Sequence, residues 1–363
     1  MSASIAVLFV LFVLFVLFVS FICLFVFRKV AQRIGLVDKP NERKHHTGQI
    51  PLVGGISVFV TMLLALLWLP ELLTLPYLYM GCALVLVIVG AIDDRYDISF
   101  KLRLVIQALV SIAMIVLGER SLHNLGYLMG SEALQIPELA SYVLTVVAVI
   151  GAINAFNMVD GIDGLLGGLA SVTFGGLGLL FYWHGMANFA LFCALLVTAM
   201  LPYIMLNLGF PFGQRFKVFM GDAGSIFIGF TVIWLLIVAS QGERATAIRP
   251  VTALWLIALP LMDMVCIMIR RIRKGQSPFK PDREHLHHIC QRIGLSPFQS
   301  LLAICVAATL MAGIGIWSEL AKIDEYIMFF AFLLTFVAYF TVLSNIWRIT
   351  AFLNRHVKFM RSV

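Results

Sequence analysis

The chain has 363 residues, 61% of them hydrophobic and 12% charged, with a formal net charge of +7 and a mean hydropathy of +0.99. Soluble domains carry about 25% charged residues, so this composition excludes a water-soluble globule and makes the lipid bilayer the solvent. Six cysteines without a CxxC pair point to neither a disulfide framework nor a zinc knuckle, and no nucleic-acid partner is expected.

In chain order, apolar runs cover approximately 4–27, 51–69, 77–92, 104–118, 139–156, 164–183, 188–206, 223–240, 250–269, 298–317 and 326–346. Each is predicted to be a membrane-spanning helix, because a segment in lipid must satisfy its own backbone hydrogen bonds. The first run has no basic flank or cleavage site and exceeds a signal-peptide core, so it is expected to stay as the first span. The expected architecture is an all-α polytopic integral membrane protein of about eleven spans, forming a single domain over 1–363.

Basic residues choose the orientation. The loops 28–50, 93–103, 157–163, 207–222 and 270–297, with the tail from 347, hold 22 of the 26 Lys and Arg. The positive-inside rule puts that set in the cytoplasm, the C-terminus with it and the N-terminus in the periplasm. Eight of the ten aspartates fall in the same loops, while seven of the nine glutamates fall opposite. Short carboxylates suit metal ligation and helix capping, so the chemistry is expected on the cytoplasmic face.

Five stretches there could carry it. In AIDDRYDIS, Asp93 and Asp97 would share a face if the third helix continued, and the adjacent Asp93 and Asp94 repel unless a proton or cation intervenes; a capped helix end partnered by Arg95 is the plainer account. In AINAFNMVDGIDG, Asn154, Asn157, Asp160 and Asp163 recur every third residue, with Gly161 and Gly164 allowing close approach or a plain turn. In KVFMGDAGS, Asp222 could cap the eighth span, while Lys217 and the glycine amides could cradle phosphate. The loop RRIRKGQSPFKPDREHLHH combines Arg270, Arg271, Arg273 and Lys274 with His285, His287 and His288. Its HLHH run, with Cys290 nearby, lacks the i,i+4 pair of a helical zinc site; phosphate or sugar contacts fit better. The segment VDKPNERKHHTGQIPLVGG offers Lys39, Arg43, Lys44, His45 and His46, either as interface anchors or as a wall for an anionic lipid headgroup. Asp263, alone inside IALPLMDMVCIMI, is the one ionisable residue near a span centre. It would mark a transport path or cap a kink after Pro260.

Carboxylates with Lys, Arg and His beside them suit magnesium-assisted chemistry on a diphosphate, in which the metal takes one or two carboxylates and phosphate completes its shell. DDRYD, NAFNMVDGIDGLLGG, VFMGDAGS and HLHH, in this order over essentially the whole chain, resemble the polyprenyl-phosphate N-acetylhexosamine-1-phosphate transferase family. HLHH and RRIRKGQSPFKPDR look most similar to its branch that makes undecaprenyl-diphosphate-GlcNAc.

The resemblance implies transfer of GlcNAc-1-phosphate from UDP-GlcNAc to undecaprenyl phosphate with release of UMP. That would be the first membrane step of a surface polysaccharide such as O-antigen, in a bacterial inner membrane. It implies Mg²⁺, with Mn²⁺ as a substitute, and a homodimer as a common assembly. By the same resemblance Asp222 matches the metal ligand, and Asp93 and Asp94 the acidic pair near metal and lipid phosphate, with Asp93 the base and Asp94 a second metal ligand. Asp160 and Asp163 belong to the essential motif. Asn157, Asn207, Lys39, Lys217, Arg270, Arg271, His285, His287 and His288 match substrate-binding positions. The alternatives are another UDP-N-acetyl sugar, or an intramembrane prenyltransferase, which would need a second DDxxD cluster; the second cluster here reads NxxDGxD. A transporter is the rival from outside enzymology.

Overall fold

A computed structural model describes residues 3–39, 48–242, 246–278 and 284–346. The helices are α1 (Ala3–Ile34), α2 (Gly54–Trp68), α3 (Pro76–Tyr96), α4 (Phe100–Gly118), α5 (Glu138–Val159), α6 (Leu165–Trp183), α7 (Ala187–Asn207), α8 (Gly221–Ser240), α9 (Pro250–Leu256), α10 (Ala258–Arg273), α11 (Leu286–Arg292), α12 (Pro297–Leu320) and α13 (Glu325–Ser344). Two two-residue strands, Val37–Asp38 and Ile50–Pro51, pair antiparallel. Every apolar run of the sequence coincides with a helix. Nine of them, among the described residues, are long and apolar enough to cross a membrane, and the protein is a multi-pass membrane protein.

Two spans differ from expectation. The run 51–69 gives only the 15 residues of α2, because Leu69 precedes Pro70 and the proline disfavours helical backbone at the residue before it. The run 250–269 is not one straight helix: α9 and α10 meet at Ile257 with a bend of 79°. Pro260 accounts for the break, since it has no N–H to give the carbonyl of Leu256 four residues back. Thr173 on α6 donates its hydroxyl to that carbonyl at 3.2 Å, satisfying a group that lipid could not.

At the centre stands α8, where every residue except Asp222 is buried. α2 approaches it closely enough that a Cβ on Gly55 would lie 1.9 Å from the Cα of Gly224, which is how small residues let helices pack without a hydrophobic driving force. The first amides of α2 are satisfied by the segment leading into α8: Gly54 donates to the Phe219 carbonyl at 2.9 Å and Gly55 to that of Met220 at 3.0 Å. Polar contacts sort the loops into two groups. One joins Arg95 to Gly35, Asp94 to Asp222 and Lys217 to Asp163. The other joins Asn188 to Glu71, Gln241 to Asn124 and Arg249 to Glu319. These are the two sets that the basic-residue count separates.

Candidate active site

α3 ends at Tyr96 because Asp97 takes a left-handed conformation, φ 50°. Asp97 is exposed and does not share a helical face with Asp93, so the expected i,i+4 pair does not form. Asp93 is buried, and both its oxygens are engaged: the Ile98 amide donates to one at 2.9 Å and Arg103 on α4 to the other. The same Arg103 nitrogen lies 3.5 Å from Asp222 Oδ2. Asp222 Oδ1 accepts from the Asn157 amide at 2.6 Å, and Asn157 also donates to Ser225 Oγ at 2.8 Å. Arg103 and Asn157 thus fix Asp222 from α4 and α5.

Asp94 has a different task. Its oxygens accept from the amides of Asp222 at 2.8 Å and Ala223 at 3.2 Å. A carboxylate from α3 therefore caps α8 and complements its positive dipole end. The expected phosphate cradle on these glycine-flanked amides is corrected by this geometry, because Asp94 occupies the place a phosphate would take. With both oxygens on backbone, Asp94 also has less to offer a metal than Asp222.

The run of polar residues spaced by three follows α5 only as far as Val159. Asn154 donates to Gln107 at 3.0 Å, Asp160 sits just past the helix, and Asp163 in the turn pairs with Lys217 at 2.6 Å. Lys217 also lies over the Phe219 ring at 5.4 Å. Asp160 is exposed along its contour, yet the protein packed around its carboxyl pushes it up to about 7, with the charges of Asp222 and Asp163 adding. Asn207 is buried, with Oδ1 on the Gly164 amide at 2.5 Å and Nδ2 on the Val218 carbonyl at 2.8 Å. That places it as a brace between two loops.

The opposite wall is the histidine segment. His285, His287 and His288 line a cleft of about 260 Å³ together with Arg271, Asn157 and Arg103. The rings of His285 and His287 are parallel within 6° at 5.7 Å, and His288 follows at 4.2 Å from His287. His287 is buried and its Nε2 has no hydrogen-bond partner among the described residues; burial first, then its two histidine neighbours, push it down to about 3, so the ring stays neutral. A Cβ on Gly161 would lie 2.0 Å from that Nε2. The DG pair after α5 therefore needs glycine because the imidazole stands where a side chain would be.

Arg271 donates to the Pro278 carbonyl at 2.5 Å, and Arg270 pairs with Glu284 at 2.9 Å. Lys39 is exposed at the end of the first strand, while Arg43, Lys44, His45 and His46 lie outside the described residues.

The two walls differ in charge. The acidic wall lies behind the cleft-lining Arg103 and Asn157 and gathers Asp93, Asp94, Asp160, Asp163 and Asp222; among the described residues the cations paired with them are Arg103 and Lys217. Among the described residues no group of three or more His, Cys, Asp or Glu is arranged to hold a metal ion by itself. Magnesium asks less of a protein, one or two carboxylates with phosphate and water completing the shell. Asp93 and Asp222 converge on the single cationic nitrogen of Arg103, a pair of carboxylates that suits a further cation.

Sequence reading missed Arg103, which looks like an interface anchor until α4 folds against α3. It also missed Ser225, hidden in GDAGS, and the use made of Asp263, buried with three donors on its carboxylate.

Residues 76–240 match the family described as glycosyl transferase family 4. The chain is similar to undecaprenyl-phosphate alpha-N-acetylglucosaminyl 1-phosphate transferases over nearly its full length. It is 51% identical to that of Yersinia pestis, covering 93% of this chain and 92% of the relative. It is 49% identical to that of Escherichia coli K12 (92% and 90%) and 49% identical to that of Haemophilus influenzae (92% and 94%). By this extent of identity over nearly the whole chain, the chain belongs to the undecaprenyl-phosphate alpha-N-acetylglucosaminyl 1-phosphate transferase family.

Proposed function

We propose that the protein transfers GlcNAc-1-phosphate from UDP-GlcNAc to undecaprenyl phosphate, giving GlcNAc-diphosphoundecaprenol and UMP. The observation that carries this reading is the cleft lined by the histidines, Arg271, Arg103 and Asn157, of which the last two bond directly to the carboxylates of Asp93 and Asp222 at the ends of spanning helices. An oxygen of the lipid phosphate attacks the β-phosphorus of the nucleotide sugar. The bond from that phosphorus to the bridging oxygen breaks, and the oxygen leaves with UMP. Asp222 is the metal ligand in this reading, with Asp93 beside it; bound Mg²⁺ supplies charge neutralisation of the diphosphate.

Arg103 and Asn157 hold Asp222 in place, and Asp94 fixes the helix that carries it. Lys217, anchored by Asp163, adds positive charge at the acidic end. His285, His287, His288 and Arg271 meet the sugar and its phosphate, and the neutral His287 can accept a hydrogen bond from a sugar hydroxyl. Asp93 is the assigned base. Because a phosphate monoester is largely ionised near neutral pH, an Asp93→Asn enzyme that stays competent with an unchanged pH–rate profile would remove that role.

The basic-residue asymmetry supports an inner-membrane protein of eleven spans with this cleft facing the cytoplasm, the N-terminus periplasmic and the C-terminus cytoplasmic. The test is UMP release by purified protein given undecaprenyl phosphate, Mg²⁺ and, separately, UDP-GlcNAc, UDP-GalNAc or UDP-MurNAc-pentapeptide. Lipid-dependent UMP from UDP-GlcNAc is expected. Release only from another donor would overturn the sugar assignment, and pyrophosphate in place of UMP would point to prenyl transfer.

A further inference from the structure

Asp263 lies on α10 in the apolar stretch LPLMDMVCIMI and is 2% exposed. A carboxylate at such depth is costly unless its oxygens are fully engaged. Here they are. Oδ2 accepts from His285 Nδ1 at 2.9 Å, while Oδ1 accepts from the Leu286 amide at 3.1 Å and from the Tyr339 hydroxyl on α13 at 2.9 Å. One side chain therefore joins the lower half of the broken α9–α10 pair, the start of the histidine segment and the last span. The three donors come from residues 22, 23 and 76 positions away.

We propose that Asp263 is a positioning residue that sets the tautomer and plane of His285 and, through it, the histidine wall of the cleft. An acceptor on Nδ1 requires that nitrogen to carry a proton, which leaves Nε2 as the ring's free nitrogen. His285 lines the cleft and is stacked parallel on His287, so the orientation passes from one ring to the next. His287 in turn fills the space left by Gly161, beside Asp160. A transport path or a simple kink cap, the two meanings the sequence allows for this residue, leaves the triple engagement unexplained.

The inference rests on the cleft being the nucleotide-sugar pocket, and the experiment separates the two. Steady-state kinetics in both substrates would be measured for Asp263→Asn, His285→Gln, the double variant and Tyr339→Phe, each matched for thermal unfolding in detergent. Asp263→Asn keeps size but leaves one acceptor oxygen, on an uncharged group, for the three donors that Asp263 serves. Its kcat/KM for UDP-GlcNAc is expected to fall about 10- to 100-fold, as for supporting residues around other sites, with the KM for the lipid phosphate within about twofold.

The double variant is expected to be no worse than His285→Gln alone, because Asp263 acts through that ring. Tyr339→Phe, which keeps the aromatic packing, is expected to cost about two- to fivefold in the same parameter. If His285→Gln is impaired while Asp263→Asn is not, or if the two losses multiply, the positioning role is overturned and the pocket stands. If His285→Gln leaves the UDP-GlcNAc kinetics unchanged, the pocket assignment itself falls.

Discussion

The acidic wall and the histidine wall are built on different principles. The acidic wall stands on long spanning helices whose backbones nearly touch, with α8 wholly enclosed except for Asp222. Its carboxylates are held by amides and by Arg103 over short, multiple contacts. The histidine wall stands on α11, a helix of seven residues, and is fixed to the bundle by the carboxylate of Asp263 and by Ile289 and Cys290 packed into the apolar core. Charge placed by rigid helices suits the fixed demands of a diphosphate. A wall hung from a loop can differ in shape among relatives without disturbing the bundle, which suits the part that reads the sugar.

Substitutions can break this contrast, and the largest effect belongs to the acidic wall. Asp222→Asn is expected to lower kcat about 100- to 1,000-fold with little change in thermal unfolding, since the amide keeps the shape; near-normal turnover would remove Asp222 from the chemistry. Gly55→Val tests the support beneath it. The new side chain would meet the Gly224 backbone, which cannot yield without moving α2 from α8, and a loss of about 3 kcal/mol or more of stability is expected. A melting temperature equal to that of the parent protein would mean that the two helices do not cross so closely.

Gly161→Ala probes the seam between the walls. Its methyl must displace the His287 ring, so the KM for UDP-GlcNAc is expected to rise about tenfold, a loss of about 1.4 kcal/mol in binding, with kcat nearly kept. An equal fall in kcat would show that the acidic wall had moved as well. The last effect is one of pH. His287 sits at about 3 when folded and near 6.5 when unfolded. The unfolded chain therefore binds the extra proton between those values, and the stability this ring contributes is complete above 6.5 and lost as pH falls towards 3. The slope is at most about 1.4 kcal/mol per pH unit. Unfolding midpoints at pH 7.5 and 5.0 should differ less in His287→Asn than in the parent, and parallel shifts would assign the sensitivity to other groups.

Much of the acidic wall was legible in the sequence because its residues sit where apolar runs stop. Asp93, Asp94, Asn157, Asp160 and Asp222 each mark a helix end, and a carboxylate there stands out against lipid-compatible neighbours. What could not be read was how they divide the work. Asp94 and Asp222 look alike in sequence, yet one caps α8 and the other projects from it; the distinction exists only once α3 lies against α8. Arg103 was hidden for the same reason, being one cation among many that favour the basic side. Asp263 was misleading in the other direction, since its donors are far along the chain and its isolation in the sequence disappears in the fold. The break at Ile257 was also unreadable in place: Pro260 announces a kink, but the missing bond belongs to Leu256, and its repair comes from Thr173 on another helix.

The shortness of α2 has a consequence for the membrane around it. Fifteen residues at about 1.5 Å each span roughly 22 Å, against a hydrocarbon thickness of about 30 Å. The end of α2 at Gly54 is tied to Phe219 and Met220, immediately before Asp222. If α2 crosses the bilayer, the mismatch is met by local thinning or by recession of this end below the surface. Either way the acidic wall and the headgroup layer are brought towards one level, where a phosphate on a long lipid chain already lies.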